Sequence, residues 1–514
     1  MGLEAGQLPA HNCPILENWL ERLSHSSVQL IFASAYLHNP ASMYGHTFLR
    51  MDKGLTSYSV NFAAETNQTM GAGYAMKGLS GAYPGKFTTI PYYMKIQEYN
   101  NLESRDLWEY QLNLSSAEIR SLVLHLWELG PAYMKYYFLT KNCSYQLLPL
   151  MEAARPGVKL SNRFRWMTIP ADTLRAVRET PGLVTDINVR PSAVTKMLAA
   201  RANLRREEIK IAGRIARNPN ADIASSLQSV DEKRKGIVLQ SAFLYYRYLN
   251  GFARFQEIKR DAREHSMLLE LNRHQVPEEK NLLSPAGFEA PEDAHRTSRA
   301  MWSTGRRMGD WFQEISLRPA LHDFLDPDYG YIPHSRLEMF HLKARYVHST
   351  QKFHVSQFVF ADLASLSSWD PWVRKPSFNI WAGYETRKGV KESSWDQGYA
   401  RVKGGAGLSK AGKVLGRELA LYALPQIDLG AGPAFSKKNR VGTQVMSGAI
   451  FEPVSFIKMG FESDYNNYFV GDEDDFWGLR ASVALGWKRS GQARISYENE
   501  NDIEEWKTGL NFYW

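Results

Sequence analysis

Hydrophobic and polar residues alternate with a period of two through the last third of the chain. One such segment runs from Trp477 to Trp487 and another from Trp506 to Trp514, each with mostly apolar side chains at every second position. We count roughly ten to twelve segments of this kind, most of them near the length of about 9–11 residues with which a tilted strand crosses a bilayer. Apolar-out, polar-in strands with aromatic residues at their ends are typical of outer-membrane barrels. The pattern therefore predicts an antiparallel β-barrel over residues 306–514.

A soluble antiparallel sandwich is the alternative, because its strands also alternate. The aromatic strand ends and the terminal Phe512-Tyr513-Trp514 favour the membrane barrel, since this ending resembles the C-terminal signature of outer-membrane barrel proteins. A barrel of this kind predicts location in a bacterial outer membrane, with the N-terminal domain facing the periplasm. Met1 to Ala5 lack the basic and apolar regions of a secretory signal, so we expect the numbering to begin after a removed or truncated leader.

The periodicity changes in the rest of the chain. Residues 161–305 are rich in Arg, Lys and Glu, and the spacing of their apolar positions predicts a helical connecting region whose charges form a solvated face.

Residues 1–160 are predicted to form an α+β domain. Its expected elements are a helix over Pro14–Leu23, strands over 28–33, 45–51, 55–62, 108–114 and 136–139, a helix from the Ser115/Glu118 capping box to Leu129, and a helix that begins at Cys143. Lys53-Gly54 is predicted to be a two-residue hairpin turn, and the stretch 77–85 a loop.

Composition narrows the possible functions. Hydrophobic residues make up 44% and charged residues 23% of the 514 residues, which is typical of folded protein. The net charge of +8 permits contact with anionic lipid headgroups. We find no nucleic-acid-binding motif, no P-loop, no Gly-x-Ser-x-Gly elbow and no metal-ligand spacing. We therefore expect no nucleic-acid partner, no metal and no cofactor.

Cys143 is the first candidate for chemistry. It follows Asn142 at the start of a predicted helix, where the helix dipole and unpaired backbone N–H groups stabilise a thiolate. Such N–H groups also suit an oxyanion hole. Two alternatives stay open: a buried Cys143 that serves only packing, and a disulfide with Cys13, the other cysteine of the chain. A disulfide would exclude a nucleophilic role.

His46 and Asn61 complete the candidate site. If Lys53 and Gly54 form the turn, counting outward along the hairpin sets His46 opposite Asn61, and opposed residues share one face of the sheet. The Asn61 side chain is then expected to orient the imidazole, and His46 to take the proton of the Cys143 thiol. The hypothesis is a Cys143–His46–Asn61 catalytic site. A strand histidine bonded only to the backbone is the alternative for His46.

Several separated motifs resemble one known family. They are the stretch from Asn39 to Arg50, the stretch from Tyr58 to Phe62, Tyr83-Pro84-Gly85 and Asn142-Cys143-Ser144-Tyr145. Over about residues 12–160 they resemble the Lnb N-terminal periplasmic domain family, which implies lipoprotein N-acyltransferase chemistry. The order of histidine before cysteine is also similar to circularly permuted papain-like enzymes such as lecithin-retinol acyltransferase. The resemblance implies Cys143 as the nucleophile and His46 as the base, with Asn61 in the orienting position.

Three functions compete at this point. The first is an outer-membrane-anchored thiol acyltransferase that moves an acyl chain from a phospholipid through Cys143 to an amine, such as a lipoprotein N-terminus. The second is a hydrolase on the same site, a peptidase, amidase or lipase in which water replaces the amine. The third is a non-catalytic barrel scaffold or transporter with a periplasmic binding module. The first is preferred because the cysteine and histidine motifs occur together with a predicted membrane barrel.

Overall fold

A computed structural model of the chain describes residues 13–23, 27–35, 43–52, 57–68, 71–256, 262–276, 289–386, 397–487 and 490–514. The predicted turn at Lys53-Gly54 and the motif residues Asn39 to Ser42 lie outside these ranges. The chain divides into two compact units, Met1–Phe288 and Glu289–Trp514.

The first unit is built on one antiparallel sheet. Its strands are β1 (Ser27–Ala33), β2 (His46–Asp52), β3 (Tyr58–Ala64), β4 (Tyr83–Pro91), β5 (Leu107–Leu112), β6 (Met134–Tyr136) and β7 (Val184–Arg190). They lie in the order β6-β4-β3-β2-β1-β5-β7. The central strands are almost wholly buried because both faces of the sheet are covered. Strand β7 extends the sheet with residues that the sequence pattern placed in the connecting region.

Helices cover the sheet and continue beyond it. They are α1 (Pro14–Leu23), α2 (Ala72–Ser80), α3 (Tyr92–Lys95), α4 (Ser116–Leu129), α5 (Cys143–Ala154), α6 (Pro170–Arg178), α7 (Ala193–Ala202), α8 (Arg206–Arg217), α9 (Ile223–Ser226), α10 (Glu232–Gln256) and α11 (Ala262–Leu271). A π-helix, Ile96–Leu102, follows α3 directly. The capping box of Ser115 and Glu118 is confirmed at the start of α4.

Two local predictions in this unit are wrong. The stretch 77–85 is not a loop, since its first half ends α2 and its second half begins β4, with Gly81 as a left-handed C-cap between them. The predicted strand at 136–139 ends at Tyr136. Phe138 instead donates its backbone N–H to Gly78 of α2, so tertiary contacts decide the path of this segment.

The second unit contains a closed antiparallel barrel. Its strands are β8 (Arg299–Arg307), β9 (Asp310–Arg318), β10 (Ala320–His322), β11 (Ser335–Val347), β12 (Lys352–Ser365), β13 (Ser377–Thr386), β14 (Gly398–Val414), β15 (Arg417–Ala431), β16 (Asn439–Val454), β17 (Ile457–Gly471), β18 (Asp474–Trp487), β19 (Gly491–Glu500) and β20 (Ile503–Tyr513). Strand β8 pairs with β20, and β9 pairs with β11, which closes a ring of twelve strands, with β10 as a short addition on β11. This confirms the predicted barrel at the upper end of the expected strand number.

The outer surface of the barrel is apolar and its lumen is polar. Along β15, the exposed side chains include Leu421, Ile427 and Leu429, while Gln426 and Asp428 point inward and are buried. Tryptophans at the ends of other strands, such as Trp477 and Trp506, are more than half exposed. This apolar-out, polar-in alternation is the one predicted from the sequence. No helix in the described ranges has the length and apolar character needed to span a bilayer.

Candidate active site

Asn142 fixes the start of helix α5. Its side-chain oxygen accepts the backbone N–H of Tyr145 at 3.2 Å and the hydroxyl of Ser144 at 2.8 Å. Its amide nitrogen donates to the carbonyl oxygens of Phe138 and Thr168 at 3.0 and 2.8 Å. An N-cap of this kind satisfies helix donors that would otherwise be buried without partners. Asn142 therefore ties the helix start to two other segments and places the next residue, Cys143, in the first turn.

Cys143 is buried, with only 2% of its surface exposed. Helix α5 packs on strands β2 and β3. Burial raises the pKa of the Cys143 thiol, and hydrogen bonds from the Thr47 backbone, the Tyr136 hydroxyl and the Ser144 backbone oppose that rise. Desolvation is the larger effect, so the resting group is a neutral thiol rather than a thiolate. Cys143 and Cys13 are both free, so the predicted alternative of a disulfide is wrong.

His46 and Asn61 are brought together. Nε2 of His46 lies 2.6 Å from Oδ1 of Asn61, and both side chains are buried. Because the amide oxygen only accepts, this bond assigns the ring proton to Nε2 and leaves Nδ1 as a proton acceptor. The residue before His46 must be glycine for two reasons. The φ of Gly45 is +93°, which other residues rarely adopt, and a Cβ there would lie 2.3 Å from the Phe32 ring.

The predicted register of this pair is wrong by two residues. Strands β2 and β3 pair Leu49 with Val60 and Met51 with Tyr58, so Asn61 is not directly opposite His46. The register places Ala63 opposite His46, and Asn61 is two residues before Ala63, on the same face of the sheet as His46. A shift of two residues preserves the face, whereas a shift of one would have reversed it. Diagonal neighbours remain within reach of long side chains, which is why the hydrogen bond still forms.

The imidazole of His46 sits in an aromatic and cationic environment. Its ring centroid lies 5.5 Å from that of Tyr99 in the π-helix and 6.2 Å from that of Phe48. Burial lowers the pKa of His46 to about 3, with the positive charges of Lys95 and Arg105 adding to the effect and Asn61 opposing it. His46 is therefore a neutral base over the whole physiological pH range.

The thiol of Cys143 lies beside Thr47, the residue that follows His46 on strand β2. The backbone N–H of Thr47 lies near enough to the thiol to oppose the rise of its pKa. Side chains of successive strand residues point to opposite faces. In the part of the chain that the structure describes, no hydrogen bond joins the thiol to the imidazole. The thiol thus lies beside the strand of His46, and the imidazole is hydrogen-bonded to Asn61 rather than to the thiol.

Sequence reasoning missed two residues at the thiol. Tyr136 accepts the backbone N–H of Cys143 through its hydroxyl at 3.3 Å, and its ring stacks on Phe62 with centroids 5.7 Å apart. Burial raises the pKa of the Tyr136 hydroxyl well above its usual value, so it remains a donor. Thr47 supplies the backbone N–H described above. Tyr136 lies seven residues before Cys143 in the sequence, and no local pattern distinguishes it from Tyr137.

Two further polar residues, Tyr44 and Glu65, flank the strands that carry this site. Glu65 pairs with Lys86, and its side chain is about half exposed. Tyr44 is buried near the start of β2. Across the described ranges, no group of His, Cys, Asp and Glu side chains is arranged to hold a metal ion.

The two cysteines are expected to differ sharply in reactivity. Cys13 is exposed, whereas Cys143 is buried and its thiol pKa is raised. Because only the thiolate reacts, iodoacetamide at about pH 8 should alkylate Cys13 at least about tenfold faster than Cys143. Peptide mass spectrometry over a time course measures both rates in one sample. Equal rates in the folded protein would contradict the buried, neutral thiol, and equal rates in denaturant provide the control.

Two family models match the chain. Residues 16–180 match the Lnb N-terminal periplasmic domain, a range that includes His46, Asn61 and Cys143. Residues 289–514 match a domain of unknown function, DUF7840. A comparison with curated proteins found no match. The first match confirms the family resemblance of the N-terminal motifs.

Solved outer-membrane proteins match the barrel portion at low identity. The KdgM porin is 10% identical and covers 42% of this chain and 99% of its own, with a TM-score of 0.25. Omp33 of Acinetobacter baumannii is 12% identical and covers 43% of this chain and 100% of its own, with a TM-score of 0.22. OprB of Pseudomonas putida, in its high-pH structure, is 7% identical and covers 43% of this chain and 94% of its own, with a TM-score of 0.20.

The membrane location follows from the barrel's own surface. A closed barrel with an even number of strands, an apolar exterior and a charged lumen is the form in which strands cross an outer membrane. The name of the N-terminal family places that domain in the periplasm. The chain is therefore an outer-membrane protein whose residues 16–180 match the model of the Lnb N-terminal periplasmic domain and whose C-terminal unit contains a twelve-stranded β-barrel.

Proposed function

We propose that the protein is an outer-membrane-anchored cysteine acyltransferase. It moves an acyl chain from a phospholipid through a thioester on Cys143 to an amine, for which a lipoprotein N-terminus is the expected acceptor. The observation that carries the proposal is a cysteine in the first turn of a helix that packs on the two strands joined by the His46–Asn61 hydrogen bond. The order of a histidine strand before a cysteine helix also supports a permuted papain-like arrangement. The barrel keeps the domain at a surface that supplies phospholipid.

Acylation begins from a neutral pair. The sulfur of Cys143 attacks the ester carbonyl of the phospholipid while Nδ1 of His46 takes the thiol proton. The ester C–O bond then breaks, and His46 returns the proton to the departing lysophospholipid alcohol. Since the pKa of the thiol is raised and that of His46 is lowered, the proton moves during the attack rather than before it. We expect the sulfur and Nδ1 to meet only in the substrate complex, where catalytic hydrogen bonds commonly tighten.

Deacylation reverses the roles. The amine attacks the thioester carbonyl and gives a proton to His46, the C–S bond breaks, and the proton returns to the sulfur. The product is an amide, and Cys143 is a thiol again. Asn61 holds Nε2–H throughout, so the same imidazole nitrogen serves both steps.

Tyr136 and the Cys143 backbone can stabilise the tetrahedral intermediates. The hydroxyl of Tyr136 contacts both the N–H and the thiol of Cys143. Because this hydroxyl stays protonated, it and the backbone N–H can both donate to the oxyanion that forms on the acyl carbon when the sulfur attacks it.

A hydrolase on the same site is the second candidate. It would use the same thioester and differ only in the acceptor. The deep burial of Cys143 and the surrounding aromatic rings favour the transferase, because they limit the access of water to the thioester.

Intact-mass spectrometry tests the proposal. The full-length protein is incubated with vesicles of a phosphatidylethanolamine of defined acyl chains, then given a peptide with a free S-diacylglycerylcysteine N-terminus. We expect a mass gain of one acyl group on the protein, followed by its transfer to the peptide amine. Loss of the adduct without the peptide would identify the hydrolase, and the absence of any adduct or acylated product would contradict both.

Tyr136→Phe should slow acyl transfer without unfolding the domain. The change removes one hydroxyl that contacts Cys143 and keeps the ring stacked on Phe62. Loss of a single oxyanion donor costs about 10²–10³ in rate. Tyr137→Phe is the matched control, because it removes a hydroxyl from the next residue. Initial rates of adduct formation measure the effect, and equal rates for the two variants would exclude Tyr136 from the reaction.

A further inference from the structure

We propose that residues 323–331 form a plug that seals the barrel lumen, so that the barrel is an anchor without an open pore. This plug segment is the first part of the connection between β10 and β11, which spans residues 323–334. It lies at the terminal rim, defined as the rim at which Tyr513 of β20 pairs with Arg299 of β8. The opposite rim carries the turn between β8 and β9.

Ion pairs hold one side of the plug. Asp323 lies 2.6 Å from Arg299 and 2.8 Å from Arg494, and Asp326 lies 2.7 Å from Arg318. These three arginines come from β8, β19 and β9. The side chains of Asp326 and Arg318 are fully buried. Removing one member would leave unpaired buried charge, so the pairs fix the plug strongly in its position.

Apolar packing holds the other side. Phe324 belongs to a buried cluster that also contains Ala364 and Leu366 near the end of β12, Tyr422 and Leu424 of β15, and Met446 and Ile450 of β16. The guanidinium of Arg336 lies 4.7 Å from the Phe324 ring centroid. Leu325 lies against Gly460 of β17, where a Cβ would be 3.1 Å from its side chain.

Backbone atoms of the plug are bound as well. Gln492 of β19 donates to the carbonyl oxygen of Leu325 at 2.7 Å, and Lys458 of β17 donates to that of Asp326 at 2.9 Å. Lys458 also pairs with Asp328 at 2.8 Å. The plug thus contacts strands on all sides of the ring, and not one wall alone.

A cavity inside the lumen borders the plug. This cavity of about 310 Å³ has Asp323, Phe324 and Leu325 in its lining and extends to Thr386 and Arg401 toward the opposite rim. A lumen closed at one rim has no continuous water path, which ion passage through a barrel requires. The plug segment is therefore the barrier between the two sides of the barrel.

Planar-bilayer recording of the purified full-length protein tests the plug. We expect the wild type to insert without stable ion conductance. The triple variant Asp323→Ala/Phe324→Gly/Asp326→Ala should gain conductance, because it removes both the ion pairs and the apolar contact. Asp502→Asn, in the exposed turn at the opposite rim, is the matched control and should stay silent. Heat-modifiable mobility on gels shows which variants retain a folded barrel.

A second variant covers the case in which the triple variant does not fold. Leu325→Gly leaves every ion pair in place and removes the side chain that lies against Gly460, so brief openings are expected. A stable open channel in the wild type would overturn the proposal. Silence of both plug variants as folded barrels would overturn it too, since another part of the lumen would then be the barrier.

Discussion

Cys143→Ala should abolish the acyl adduct and reduce acyl transfer about 10³-fold or more, because the sulfur that forms the thioester is absent. The substitution removes a small buried side chain and leaves the Asn142 cap, so the helix start should persist. The measurement is intact-mass analysis of the full-length variant after incubation with the phospholipid, with product formation on the amine peptide as the second readout.

Cys13→Ser is the matched control for this change. Cys13 is exposed and is the other cysteine of the chain, so its loss should leave the adduct and the rate unchanged. An adduct that persists in Cys143→Ala would place the acyl group on another nucleophile. Loss of the adduct in both variants would point to damage of the fold, which heat-modifiable mobility and the protease resistance of the N-terminal domain would reveal.

The barrel could be predicted from the sequence because its two faces meet different surroundings. On β15, Leu421 and Leu429 face outward toward lipid and Asp428 faces the lumen. Apolar and polar residues therefore alternate along the strand, and the sequence shows a period of two. The plug could not be predicted in this way. Arg299, Arg318 and Arg494 come from distant positions and meet Asp323 and Asp326 only once the strands have paired.

The candidate site was predictable to the extent that local geometry determines it. Asn142 is a strong N-cap, so the start of helix α5 at Cys143 followed from residue type. The prediction that His46 and Asn61 share one face of the sheet is correct although the predicted register is not, because the register differs by an even number of residues. Tyr136 and Thr47 could not be found, since their roles arise from the packing of α5 on the sheet.

The low pKa of His46 sets the pH dependence of the proposed reaction. An ordinary histidine with a pKa near 6.5 would lose its base function as the pH falls below that value. Burial lowers the pKa of His46 to about 3, so the imidazole of the folded protein stays neutral well below that point. The unfolded chain does bind the proton near pH 6.5, so the stability of the domain falls as the pH drops below that value. Short assays of initial rate therefore separate catalysis from unfolding.

His46→Gln should lower the rate of adduct formation about 10²–10⁴-fold, since glutamine keeps a polar group near Asn61 but accepts no proton. In the wild type we expect no loss of initial rate through His46 protonation between about pH 8 and about pH 5, because the imidazole does not titrate there. His125→Ala is the control, because His125 lies partly exposed on α4 and its loss should not affect the rate. A wild-type rate that falls with an apparent pKa near 6.5, and a His46→Gln variant of normal rate, would together move the base function to another residue. If the wild-type rate falls with an apparent pKa near 6.5 and the His46→Gln variant shows no such fall, His46 is the base. Its imidazole is then exposed to solvent when substrate binds.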